Sequence, residues 1–418
     1  MKKSFLFQSV LLVLFAALAF QSCKDEKTYE LDTLVANAID LNGANSATGV
    51  DAKADIVATF SQDIDATTAN NTNITLTRDY DNANIALAVT VSGKAVTINP
   101  TEDLGSGTLY KLSFKTGMKY SDGTAVEAFD RTFTTAGNFA PSGVIAHWNF
   151  EDNANDVVGN FDASAAVAIT YGASRNAAAG KAATFDGDAS IIEIPGADQL
   201  MNTNDFSMAF WVKPNSSGHV NADGNPAGHF VMGLSAFKGF QFEITSDYSW
   251  CKLACSYKLA DGTAAAEDLW FPGDGKTFAN GGWQGWDFCK DLTGSGGVAA
   301  LLKDKWAHVV CVYNSGTKQG IMYINGEKMK SFDFDLWPDG DAKRGVTGLK
   351  YNGTAPEVVN ELAFGFIQSR AGLLWDTEPW GGYDFPTSNH FKGQLDDVRV
   401  WNKVLTGDEI LLLYNSEK

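Results

Sequence analysis

FKGQLDDVRVWNKVLTGDEILLLYN, residues 391–415, joins a strand to a helix without a break. QLDDVRVWNKVL reads as a strand, carrying β-branched and aromatic side chains. It runs straight into TGDEILLLYN, where Thr406 and, three residues on, Glu409 form a capping box that starts a helix. Ile410, Leu413 and Tyr414 then share one face of that short helix and can pack on the sheet. Asp396 and Asp397 in the strand are tempting as ligands or catalysts. The plainer reading has one of them bonding backbone or Arg399 to hold the strand's turn.

Outward from this stretch the chain is strands. DFSMAFWVKP puts Phe206, Met208, Phe210 and Val212 on one face, and GFQFEITS does the same with Phe240, Phe242 and Ile244. KWAHVVCVYN is apolar on both faces. GIMYINGEKMKSF is a hairpin whose Asn325-Gly326 suits a type I′ turn, which needs positive φ at both central residues. Residues 34–136 form a separate block of short alternating runs such as DIVATFS, with Ile56, Ala58 and Phe60 on one face. The linker at 137–143 is rich in Gly, Pro, Ser and Asn, and all eleven Trp lie at or after Trp148.

Both blocks carry a resemblance. Val57-Ala58-Thr59-Phe60, Val96 to Pro100 with Leu104 and Tyr110, and Phe133-Thr134-Thr135 resemble bacterial Ig-like domains, whose usual role is that of a spacer. HWNFEDNANDVVGN, ATFDGDASIIEIPG, DFSMAFWVKP, WAHVVCVYNSGTKQGIMYINGE and the terminal stretch resemble the concanavalin A-like, laminin G-type jelly roll across 144–418. The implied fold class is all-β: an Ig-like β-sandwich followed by a jelly roll with one short C-terminal helix.

The chain opens MKKSFLFQSVLLVLFAALAFQSC, a basic start, an apolar run and small or polar residues before Cys23. Residues 1–22 read as a signal peptide. Cys23 resembles the lipidated cysteine of a bacterial lipobox, although Gln21 departs from the usual small residue. Lys24-Asp25-Glu26 resembles the export signal of Bacteroidetes surface lipoproteins, and 23–33 would be the tether. The implied location is the outer membrane, lipid-anchored and facing outward.

The formal net charge is −18, which repels phosphate backbones and argues against nucleic acid as a partner. The four further cysteines, Cys251, Cys255, Cys289 and Cys311, are even in number in an exported chain. That favours two disulfides over zinc, with the pairing open.

A glycoside hydrolase needs two positioned carboxylates. The Glu-x-Asp-x-x-Glu strand motif of laminarinase-like relatives is not found, and Glu243 with Asp247 comes nearest; the Gln-x-His pattern of polysaccharide lyases is missing too. The five histidines, His147, His219, His229, His308 and His390, are scattered, with His308 read as a packed sandwich residue. The resemblance implies a rim that can hold Ca²⁺. Asp152 and Asn153 in EDNAND, with Asp186 and Asp188 in FDGDAS, are the oxygen-rich candidates, though none has fixed ligand spacing and solvated turns explain them equally well.

Aromatics remain. Trp211, Trp306 and Trp401 lie in strands and read as packing residues. Trp270, Trp283 and Trp286 fall in WFPGDGKTFANGGWQGWDFC, read as a Gly-rich insertion pinned by Cys289. Trp375, Trp380 and Tyr383 occupy LLWDTEPWGGYDFPTSN, and Trp337 opens WPDGD. Flat rings pack on sugar C–H faces while Asp, Asn and amides take the hydroxyls, so these seven are the glycan-binding candidates. Burial of the rings in the loops' own satellite clusters is the alternative. The expected activity is non-catalytic binding of an extracellular glycan. An adhesion module that meets a surface protein, or a hydrolase with an unrecognised site, are the rivals.

Overall fold

The computed structural model describes residues 29–418; the expected signal peptide and Cys23 lie outside them. Two compact units divide at Gly137 and Asn138.

The first unit is two five-stranded sheets. One orders β2 (Ile39–Asp40), β1 (Leu31–Ala36), β4 (Ile56–Phe60), β8 (Ala95–Pro100) and β7 (Leu87–Ser92). The other orders β3 (Ala47–Val50), β10 (Phe129–Thr135), β9 (Leu109–Phe114), β5 (Ile74–Arg78) and β6 (Asn84–Ile85). Alternation explains the core: Ile56, Ala58 and Phe60 are fully buried, and Phe60 meets Phe114 edge-on at 6.0 Å.

The second unit is a larger sandwich. Its first sheet orders β13 (Thr170–Ala173), β14 (Lys181–Asp186), β27 (Lys392–Trp401), β16 (Phe206–Pro214), β22 (Ala307–Asn314), β23 (Gln319–Ile324), β24 (Glu327–Asp333) and β21 (Trp286–Cys289). β11 (Val144–Trp148) also pairs with β27. The second sheet orders β12 (Ala165–Val167), β15 (Ile191–Ile194), β26 (Leu362–Phe364), β17 (His229–Leu234), β18 (Phe240–Ile244), β19 (Cys251–Leu259) and β20 (Ala264–Phe271), with β25 (Val346–Leu349) on β19. Inward side chains meet between the sheets, as in Phe210–Phe242 at 5.0 Å and Trp148–Phe364 at 5.2 Å. Asn325 (φ 55°) and Gly326 (φ 80°) make the β23–β24 turn with both residues left-handed, as that turn requires.

The terminal helix, Gly407–Glu417, starts where its capping box places it. Thr406 Oγ1 accepts from Glu409 N at 3.1 Å, and Glu409 Oε2 accepts from Thr406 N at 3.0 Å. Its apolar side covers the outer face of the first sheet, with Ile410 and Leu413 buried and Tyr414 stacked on Trp211 at 5.8 Å. His308 lies under it, fully buried between Trp211 and Tyr414. The sequence reading has one helix; a second, Gly297–Leu302, precedes β22 and buries Val298 and Leu302.

The disulfide expectation is corrected: all four cysteines are free. Cys251 and Cys255 sit four residues apart on β19, hence on one face but about 13 Å apart, beyond the roughly 7 Å a disulfide can bridge. Cys311 belongs to the opposite sheet, whose backbone stands about 10 Å away. The three thiols fill the core like small hydrophobes, Cys251 Sγ lying 3.8 Å from Met322 Sδ. Intact mass should therefore show no hydrogens lost to disulfides. In the native protein an alkylating agent should modify half-buried Cys289 first and reach the other three only on denaturation.

A histidine stack ties the segment before β27 to β17. The His219 and His229 rings lie 4.4 Å apart, and His229 Nε2 is 2.7 Å from the Tyr248 hydroxyl. His219 Nε2 reaches the His390 carbonyl at 3.0 Å, and His390 Nε2 the Tyr383 carbonyl at 2.8 Å. Burial lowers His219 from 6.5 to about 4 and His229 to about 3, so both rings are neutral in the fold. Their stabilising contribution is whole above the unfolded value of 6.5 and is lost as pH falls towards the folded ones. The second unit should thus lose stability steadily below pH 6.5, by ~3 kcal/mol near pH 4 for each of the two rings. In denaturant titrations across pH, His219→Phe/His229→Phe should flatten that slope, and an unchanged slope would refute the assignment.

Candidate functional site

The first aromatic segment divides. Trp270 and Phe271 end β20 and Trp286 begins β21, so the insertion proper runs only between them, joining an edge of one sheet to an edge of the other. It is wrapped around a buried ammonium rather than pinned by Cys289. Lys330 Nζ donates to the Pro272 carbonyl at 3.0 Å and the Lys276 carbonyl at 3.1 Å, and sits 4.2 Å from the Trp286 ring centre. Trp286 and Trp337 are 7% and 2% exposed, packed with Phe332 and Phe334, and Trp283 closes edge-on over Trp337 at 4.4 Å. As glycan contacts these two are corrected: they are the segment's own core. Trp283 stays 39% exposed at the sandwich edge, near exposed Phe278.

Trp270 goes elsewhere. In antiparallel pairs, partners point to the same face. Phe230 pairs with Glu243, Glu243 with Lys252 and Lys252 with Trp270, a row across β17, β18, β19 and β20. The neighbours Ile244, Leu253 and Phe271 are in the core, so the row faces outward. Three strand spacings make it about 14 Å long. At its centre Lys252 Nζ lies 3.0 Å from Glu243 and 2.9 Å from Asp268. Burial raises the Glu243 pKa, offset in part by Lys252. At one end Trp270, 39% exposed, stands edge-on to Trp250 at 5.6 Å.

The other end receives the second aromatic segment. Trp380, 41% exposed, meets Phe230 edge-on at 6.4 Å and Trp375 at 5.1 Å. Trp375 is half-buried against Phe237, and Tyr383 against Phe366 and His390, its hydroxyl donating to the Ala189 carbonyl at 2.8 Å. These rings cover a small apolar cluster of Ile191, Phe230, Ala363 and Phe366. Of the seven aromatic candidates, the structure thus brings Trp270 and Trp380 to opposite ends of one strip. Phe230 and Lys252, which complete it, were missed, and Glu243 was weighed only as a hydrolase carboxylate. Their signal was the polar alternation in GFQFEITS and the strand after it, legible only once strand order is known.

The calcium candidates do not assemble. Asp152 pairs with Lys181 at 2.5 Å at the start of β14, and Asn153 bonds the Glu151 carbonyl. Asp186 ends the same strand, about 17 Å away, where it accepts from the backbone of Asp188, Ala189 and Ser190. Among the described residues no group of three or more His, Cys, Asp or Glu is arranged to hold a metal ion.

Asp397 lines a cavity of about 460 Å³ on the other sheet, with Asp396 fully buried beside it. Burial and the adjacent carboxylate push Asp396 up to about 8; burial would raise Asp397 too, but Arg399, His147 and Arg175 hold it low. Arg175 reaches Asp396 at 2.6 Å and Asp397 at 2.7 Å, Ser174 and the Asp397 amide bond Asp396, and His147 and Arg399 each sit 2.8 Å from Asp397. Every oxygen of the pair is engaged by protein groups, the pattern of a structural staple.

Comparison with known proteins follows the same division. Residues 33–135 match the bacterial Ig-like domain family, and residues 186–356 match the concanavalin A-like lectin/glucanases superfamily. No curated protein matches. Among solved structures, the binding domain of paraclostridial mosquitocidal protein 1 is 14% identical, covering 66% of this chain and 52% of its own, with a TM-score of 0.41. Domain 4 of a GH43 extracellular arabinanase from Geobacillus stearothermophilus, solved with arabinotriose, is 18% identical, covering 65% and 98%, at 0.38. The binding domain of botulinum neurotoxin DC, solved with SialylT, is 13% identical, covering 66% and 52%, at 0.40. The chain spans about half the length of these toxin domains. The chain is all-β, with a bacterial Ig-like domain at its N-terminal end and a concanavalin A-like domain at its C-terminal end.

Proposed function

We propose that the second unit binds an extracellular glycan along the strip from Trp380 to Trp270, without chemistry of its own. The observation that carries this is the row itself: exposed indoles at both ends and polar groups between them, on one sheet face. Indole faces suit sugar C–H surfaces, and the intervening carboxylates and ammonium suit hydroxyls. In this reading the lipobox-like start anchors the chain to the outer membrane and the Ig-like unit is the spacer. Among the described residues no helix is long and apolar enough to cross a membrane.

The hydrolase reading has its best candidates in the same place, since Glu243 and Asp268 flank one point. Binding is preferred because Lys252 occupies the space between them, where a scissile bond would have to sit. An adhesion role would instead use the Trp283 and Phe278 edge.

Affinity gels or glycan arrays separate the readings. Trp270→Ala and Trp380→Ala should each weaken binding by about tenfold or more, while Trp283→Ala leaves it unchanged. Binding that survives the Trp270→Ala/Trp380→Ala double change would sink the strip, and release of oligosaccharide that Glu243→Gln abolishes would replace binding by hydrolysis.

A further inference from the structure

Resting on that reading, we infer that the strip selects neutral glycans and rejects those bearing carboxylate or sulfate groups. Charge at close quarters sets this selectivity. The centre of the row carries two carboxylates, Glu243 and Asp268, and one ammonium, Lys252. That ammonium is already bonded to both acids and faces the Trp250 ring at 5.9 Å. The centre therefore presents a net negative charge, and Asp268 keeps 46% of its side chain exposed. It offers an acceptor that a sugar hydroxyl can donate to and that an anionic group can only meet with repulsion.

The surroundings do not reverse the sign. The segment carrying Trp380 contributes exposed Asp376, Glu378 and Asp384, and no Lys or Arg between Trp375 and His390. Arg370, before it, is held by Glu193, with its Nε and Nη2 3.2 and 2.7 Å from the two carboxylate oxygens. Lys238, beside the Phe237 ring, is paired with Glu357 at 3.1 Å. Sites that take sialate, uronate or sulfate need a cation or backbone donors aimed at the anion. Here Lys252, Arg370 and Lys238 already hold carboxylates of the protein.

The test uses the whole second unit in the full chain and matched pairs of probes: neutral oligosaccharides and the same chains oxidised to the uronate or capped with sialic acid. Titration calorimetry should find neutral members bound about tenfold or more tightly than their acidic partners. Neutral binding should barely respond to salt, since no ion pair forms with the ligand. Asp268→Asn should narrow the gap by admitting the acidic member. Acidic members bound as tightly as neutral ones, with binding lost in Trp270→Ala, would overturn the charge inference and leave the strip standing. If no member of either kind binds, the strip reading falls and this inference with it.

Discussion

The hydrogen bonds along both flanks of Lys392–Trp401 tie together segments that lie far apart in the chain. One flank pairs with β14 through Ala183–Asp186 and with β11 through Val144–Trp148; the other pairs with β16 along nearly its whole length. The first strand of the jelly roll therefore finds its partner only when the last one arrives. Such pairing closes very long loops, and it makes folding of the second unit depend on its final segment. The strand is also irregular where it is most charged. Its register with β16 shifts between Ala209 and Trp211, and Asp397 takes a left-handed φ of 47°. Arg175, His147, Arg399 and Glu417 gather at that bulge and satisfy it, while Glu417 also accepts from the Trp211 indole at 2.8 Å.

That constraint reaches the candidate site. The aromatic segment before β27 leaves the second sheet at β26 and must enter the first at Lys392. Phe230 N bonds the Asn389 carbonyl at 2.8 Å, Gly228 N bonds the Asn389 side chain, and the histidine stack closes the join. Gly233 is needed here, because a Cβ at that position would fall 2.2 Å from the Ile367 carbonyl oxygen. With both ends fixed, Trp380 is held over Phe230, at one end of a row whose other end is set by the β19–β20 register. Binding surface and sheet assembly are parts of one arrangement.

Much of this was legible beforehand. Alternation in DFSMAFWVKP and GFQFEITS, the Asn325-Gly326 turn and the Thr406/Glu409 box are local signals that tertiary packing leaves intact. What could not be read depends on which strands are neighbours. Trp286 and Trp337 look like exposed loop rings until β21 is placed beside β24 and Lys330 beneath them. Cys251 and Cys255 look like disulfide partners until both fall on β19, four residues apart along one strand. Glu243 and Lys252 are ordinary outward residues in sequence, and only cross-strand register makes them the middle of a strip.

The two aromatic segments thus have different roles. One mainly buries its rings to close the sandwich edge around Lys330, and the other presents Trp380 on the face that Trp270 shares. The most direct measurement of that claim follows the indole N–H resonances of the eleven Trp during titration with a bound oligosaccharide. Binding along the strip should shift Trp270, Trp250 and Trp380 and leave Trp283, Trp286 and Trp337 unmoved. Shifts confined to Trp283 and its neighbours at the sandwich edge would contradict it.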